Sequence, residues 1–190
     1  MNEQVYEKAA KTLGVDIPSI KAVASVESNG GGFAQGAGGI NVPKILFEGH
    51  VFHRLTEGKY SKDHPTISYP KWIKAHYSKT NQGEYKRLEA ASALDRDAAL
   101  QSASWGMFQI MGFNYKQAGY TSVQDFVKAM YASEDEQLMA FVNFIKSQKL
   151  DSKLQARDWA GFAKAYNGPG YAANQYDKKL ADAYKRFSEN

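Results

Sequence analysis

A glutamate occupies position 27, where an apolar side chain would serve folding better. Ile20, Val23, Ala24 and Glu27 fall at i, i+3, i+4 and i+7, so one helix stripe runs through three apolar residues and ends on a carboxyl group. Gly30, Gly31 and Gly32 follow closely, a run that ends a helix and leaves open backbone beside that carboxyl. A carboxyl half buried in such surroundings has its charged form poorly hydrated, so its pKa rises and it keeps a proton near neutral pH. That is what a general acid needs. Periodicity alone is met equally well by a Glu at the edge of its stripe with its head group in water, so the partners must come from elsewhere in the chain.

The elements that would position such a group are mostly helical. Val5, Ala9 and Leu13 line a first helix that Gly14 ends, and Asp16 with Pro18 opens the helix carrying Glu27. Residues Asn29 to Gly39 are predicted as a glycine-rich loop. After Pro43 the run Ile45-Leu46-Phe47 is predicted as a short strand leading to Glu48, followed by a helical turn or two at Val51, Phe52 and Leu55. Thr56 to Pro70 is polar and predicted as a surface excursion. Short helices are predicted over Lys71 to Ser78 and Glu84 to Ala93, then one from an Asp95 cap through Ala103, broken at Trp105-Gly106. Ser122 opens a helix with Phe126, Val127 and Met130. Ser133 with Glu136 has the capping-box spacing before Leu138, Phe141, Val142 and Ile145. Trp159, Phe162, Ala163 and Tyr166 repeat that spacing up to Asn167-Gly168-Pro169-Gly170, and Tyr176, Leu180, Ala183, Tyr184 and Phe187 share one side of a last helix. The expected fold is mainly α, with a small β element near residues 40–48.

Composition narrows the function classes. With 190 residues, 43% hydrophobic and 23% charged, the chain reads as one globular domain over 1–190. The absence of cysteine excludes disulfides and thiolate zinc sites. The start, Met1 to Lys8, has neither the basic end nor the apolar middle of a secretory signal, and no apolar run approaches a membrane span. The net charge of +4 suits an anionic polymer, but the lysines and arginines are interspersed with acids and form no nucleic-acid motif, so no nucleic-acid partner is expected.

Four stretches complete the constellation: Val26-Glu27-Ser28, Ile45-Leu46-Phe47-Glu48, Ser104-Trp105-Gly106-Met107-Phe108-Gln109-Ile110-Met111, and Ala165-Tyr166-Asn167-Gly168. Their order resembles the goose-type lysozyme and lytic transglycosylase superfamily, and Lys44 to Glu48 with Ala103 to Asn114 is similar to the N-acetylmuramidase family of phage endolysins. The resemblance runs from about Val5 to Phe187. It implies a lysozyme-like helical domain that cleaves the β-1,4 bond between N-acetylmuramic acid and N-acetylglucosamine in bacterial peptidoglycan. By position, Glu27 matches the family's general acid, Gln109 lies in the motif lining the sugar cleft, and Tyr166-Asn167 matches the motif facing the acid. Ser28, Ser104 and Trp105 join Gln109, Tyr166 and Asn167 as expected substrate-binding residues. The Gln109 amide both donates and accepts, as acetamido groups require, and Trp105, Tyr115 and Tyr166 offer flat faces to sugar rings. No metal or other cofactor is implied.

Glu48 is the candidate second carboxylate, as base or nucleophile; its plain alternative is a solvated strand end or a partner for Arg54. Lytic transglycosylases need one acid/base group only and close the sugar's 6-hydroxyl onto C1. Two rivals come from other classes. Glu48, His50 and His53 are candidate zinc ligands at a spacing unlike that of zinc hydrolases, and a wall-binding module would keep the cleft without needing Glu27. A monomeric endolysin held in the host cytoplasm and released to the wall through a holin-made hole is the expected biology. An injected antibacterial effector would look much the same. The cationic last helix, Lys178 to Phe187, suits an anionic outer membrane, although its apolar side is more simply accounted for as core.

Overall fold

The computed structural model describes residues 1–28 and 30–189. Helix α1 (Glu3–Leu13) starts at Asn2, whose side chain accepts from the Val5 N–H, and stops at Gly14 in the left-handed region, φ 67°. Helix α2 (Ile17–Glu27) starts at Asp16, which accepts from the Ser19 N–H at 2.9 Å, with Pro18 in the first turn where an N–H has no helical partner. It is Ser28, in extended conformation, that ends α2, and its N–H returns to the Ala24 carbonyl at 3.0 Å. The glycines come after this stop, so the carboxyl group stands on the helix's final residue.

Asn29, the first residue of the expected loop, lies outside the described residues. The rest of that segment is more ordered than expected. β1 (Phe33–Gln35) pairs antiparallel with β2 (Asn41–Pro43) around a turn of 3-10 helix at Ala37–Gly39. β3 (Ile45–Phe47) and α3 (Gly49–Leu55) follow. Only a 3-10 turn at Lys74–His76 forms where a short helix was expected. Helix α4 (Asn81–Leu94) leads to α5 (Arg96–Gln101), which Asp95 caps through the Ala98 N–H. The helix predicted through Ala103 ends at Ser102, because Ala103 begins the middle strand of a sheet. β4 (Ala103–Trp105) pairs with β3 on one side and β5 (Ile110–Met111) on the other, all antiparallel. Pairing along two strands outweighs alanine's helix propensity here.

The C-terminal half is helical: α6 (Val123–Ala132), α7 (Glu134–Ser147), α8 (Asp151–Gln155), α9 (Trp159–Asn167) and α10 (Tyr176–Ser188). Ser133 caps α7 by accepting from the Glu136 N–H at 3.1 Å. One hydrophobic cluster runs from Val5 to Leu180, with α7 contributing Leu138, Phe141, Val142 and Ile145. Helix α10 lies along α2 and against α9, burying Leu180 and Ala183, and Tyr184 Oη donates to Asp16 at the start of α2 at 3.0 Å. The centre of this helix's apolar side, Leu180 and Ala183, is thus packed into the core. No helix among the described residues is long and apolar enough to cross a membrane.

Candidate active site

The amphipathic pattern of α2 carries Glu27 to the edge of the core, where Ile20, Val23 and Ala24 are buried and Glu27 itself is half buried. Burial pushes its carboxyl pKa up. The Asn167 side-chain amide, which donates to Oε1 at 3.0 Å, acts in the opposite direction by favouring the charged form. Asn167 is the last residue of α9, and the chain leaves the helix through Gly168 at φ 79°. Tyr166, one residue earlier, stacks on Phe162 and meets Phe141 edge-on. Its hydroxyl pKa is raised by burial and then by the nearby Glu27 carboxylate. Expected residues Glu27, Tyr166 and Asn167 are thus brought together, with Ser28 directly after the acid. Asn167→Ala should raise the Glu27 pKa further and move the alkaline limb of kcat/KM to higher pH; an unmoved limb would contradict this coupling.

A second station is the sheet β3-β4-β5. Leu46, Ser104 and Met111 lie side by side across its three strands, while Phe47 and Trp105 point to the core on the other face. The turn from β4 to β5 uses Gly106 at φ 72° and Gln109 at φ 50°, a left-handed conformation that costs a non-glycine residue energy. Gln109 is locked in return: Ser104 Oγ donates to its Oε1 at 2.7 Å, and its Nε2 donates to the carbonyls of Gly106 (2.9 Å) and Lys44 (3.3 Å). Both of its amide donors are occupied within the protein, so Gln109 has only residual acceptor capacity to offer a ligand. It lines a cavity of about 310 Å³ with Lys44 and Leu46. Trp105 departs further from expectation. It is 1% exposed and its indole N–H is taken by the Leu100 carbonyl at 3.1 Å, so it supports the sheet from beneath and offers no face to a sugar.

Glu48 ends strand β3 and forms the third station. Tyr77 Oη donates to Glu48 Oε2, and His50 Nδ1 lies 3.3 Å from the same oxygen. The strand below it is unusually well held. Among the described residues no strand pairs with the outer edge of β3, and side chains of α4 satisfy its backbone instead. Asn81 accepts from the Ile45 N–H at 3.0 Å, Glu84 from the Phe47 N–H at 2.8 Å, and Arg87 donates to the Phe47 carbonyl at 2.9 Å. Glu84 and Arg87 form a buried ion pair at 2.9 Å, and the Arg87 guanidinium also lies over the rings of Phe47 and Tyr77. Both Phe47, which precedes Glu48, and Tyr77, which hydrogen-bonds it, rest on this pair.

Among the described residues no hydrogen bond, ion pair or electrostatic interaction joins Glu27 to Glu48; each carboxyl has its own partners. Nor does Glu48 pair with Arg54. The suggested zinc set diverges: His50 faces Glu48, whereas His53 Nδ1 is 2.7 Å from Ser61 Oγ, and no group of three metal-ligating side chains occurs among the described residues.

The sequence reading missed the residue that ties the first two stations together. Gln137 of α7 is 1% exposed; its Oε1 accepts from the Met107 N–H at 2.7 Å and its Nε2 donates to the Met130 carbonyl at 2.9 Å. A Cβ on Gly32 would stand 2.0 Å from Gln137 Oε1, and one on Gly106 would stand 2.7 Å from its Cδ, so the amide fits only between two glycines. Glu134, one turn earlier, accepts from the Gly32 N–H at 2.7 Å. The first turn of α7 thereby fixes both the segment after Glu27 and the turn bearing Gln109. A polar residue directly before Leu138 and four before Phe141, on a helix whose stripe is otherwise apolar, was the available signal. Tyr77, Glu84 and Arg87 were also missed, although Glu84 and Arg87 stand at i, i+3.

The fold that carries these residues is shared with a known protein, and the sequence matches a known family. The sequence profile of the N-acetylmuramidase family matches residues 16–188. The crystal structure of the Burkholderia AP3 phage endolysin is similar at a TM-score of 0.90 and 39% sequence identity, over 100% of this chain and 72% of that one. A search of curated proteins gives no match. With the profile spanning nearly all its residues and its mainly helical fold matching that endolysin, the chain belongs to the N-acetylmuramidase family.

Proposed function

We propose that residues 1–190 form one catalytic unit that hydrolyses the β-1,4 bond between N-acetylmuramic acid and N-acetylglucosamine in peptidoglycan, with Glu27 as general acid. The observation that carries this reading is the half-buried Glu27 carboxyl, its pKa raised by burial and its orientation set by Asn167. Breaking a glycosidic bond requires a proton for a poor alkoxide leaving group, and Glu27 is suited to supply it. Tyr166 and Asn167 flank the acid, Ser28 follows it, and the row Leu46-Ser104-Met111 with Gln109 supplies a floor on which the glycan lies.

Glu48 is assigned the base, drawing a proton from water at the anomeric carbon. A nucleophilic carboxylate would stand about 5–5.5 Å from the acid, close enough to perturb it. Burial, opposed by the Asn167 hydrogen bond, sets the direction of the Glu27 shift, and no direct contact joins Glu27 to Glu48 among the described residues. The same observation lends weight to a second reading, a lytic transglycosylase using Glu27 alone. The biological role follows the phage endolysin likeness: a monomer made in the host cytoplasm that reaches the wall through a holin-made hole.

Mass spectrometry of fragments released from purified peptidoglycan, with borohydride reduction, separates these chemistries. Fragments ending in reducible muramic acid are expected. Fragments one water lighter and resistant to reduction would assign transglycosylase chemistry, and release of no fragments would leave only a wall-binding role.

A further inference from the structure

A cavity of about 720 Å³ opens beside Glu48. That is within the roughly 300–1,000 Å³ typical of small-ligand sites. Pro70, Met111 and Phe113 form an apolar side, while Glu48, His50 and Arg54 face it with charge and hydrogen-bonding capacity. Arg54 is the distinctive group. Its guanidinium lies over the Phe113 ring, 5.4 Å from the centroid, and among the described residues it makes no ion pair or hydrogen bond, although Glu57 is one turn away on the same wall. A guanidinium held against a ring with its N–H fork unspent is a prepared receptor for a carboxylate.

The cavity shares Met111 with the proposed glycan floor. The cross-strand row Leu46-Ser104-Met111 ends on Met111, which lines the cavity, and Glu48 lines it from the end of β3. A ligand reaching in from that floor is attached to a sugar, carries at least one free carboxylate and has small apolar groups for the wall of Met111 and Pro70. Resting on the muramidase reading of the neighbouring cleft, we infer that this cavity binds the peptide stem of a muramic acid residue, with Arg54 pairing to a stem carboxylate. The enzyme would then read its substrate through both sugar and peptide.

The test compares two substrates: uncrosslinked glycan strands bearing peptide stems, and the same strands stripped of stems by an amidase. The parent is expected to show kcat/KM at least about tenfold higher on stem-bearing strands, the size of one charge-assisted hydrogen bond. Arg54→Ala should bring that value down to the level of stripped strands, and Arg54→Lys should restore part of it. Arg54 is exposed, so its replacement leaves the core intact. Equal parental rates on both strands, or an equal fall on both with Arg54→Ala, would overturn the assignment. If neither strand is cleaved, the muramidase reading fails, and the stem site is decided by calorimetric titration with a free stem tetrapeptide. Binding lost in Arg54→Ala upholds the site, and absence of binding to the parent removes it.

Discussion

Replacing Glu27 with Gln is expected to lower peptidoglycan cleavage by roughly 10³-fold and, at neutral pH, to raise the melting temperature. Gln keeps the shape of the side chain and still accepts from the Asn167 amide, but it has no proton to give. The stability gain follows from burial. The Glu27 pKa is raised in the folded state above its ordinary 4.5, so the stability this group confers is fully present below pH 4.5 and is lost as pH rises through the folded-state value. Parent and variant should therefore melt together in acid, and the variant should melt higher once the pH exceeds the raised value. A site kept for chemistry at the expense of stability behaves this way. Melting curves across pH, with turnover measured on the same samples, check both halves. Substantial residual turnover would remove Glu27 from the role of acid.

The second large effect is expected at Arg87→Ala, a residue that acts on Glu48 only through Phe47 and Tyr77. Removing one partner of a buried ion pair costs about 3–5 kcal/mol, because the other charge is left in a poorly solvating site. Glu84 would keep the Phe47 and Ser78 backbone donors, which places the loss near the lower end. A loss of about 3 kcal/mol corresponds to roughly 6–12 °C in melting temperature for a chain of this length. The Phe47 carbonyl and the Tyr69 hydroxyl also lose their Arg87 partner, and the Tyr77 ring loses its cation. Since Phe47 and Tyr77 are what position Glu48, activity should fall more than the unfolded fraction explains. Calorimetry paired with kcat at a temperature where the variant is fully folded measures the two separately. Unchanged stability would mean that the pair contributes nothing to holding β3.

How far the sequence was legible depends on whether the signal was local. The caps Asp16, Asp95 and Ser133 were readable because each acts on backbone three residues away. Glu27 was readable as a carboxyl closing an apolar stripe. β4 was not, because Ala103 continues an alanine-rich run and its own strand partner is the distant Phe47. The orientation of Trp105 follows from that register: Ser104 shares a face with Leu46 and Met111, so its neighbour must face the other side. Gln109 was recognised by its motif, yet the spending of its amide on Ser104, Gly106 and Lys44 is a tertiary fact. Gln137 and the Glu84–Arg87 pair act on backbone tens of residues away, through contacts that no local pattern encodes.

The most direct test of Glu27 as the proton donor is a carbon-13 NMR titration of glutamate carboxyl groups, with the resonance assigned by its loss in Glu27→Gln. Glu27 is expected to titrate above 4.5, at the same pH as the alkaline limb of kcat/KM. A Glu27 carboxyl that ionises at or below the ordinary value, with the activity limb elsewhere, would contradict its assignment as the acid.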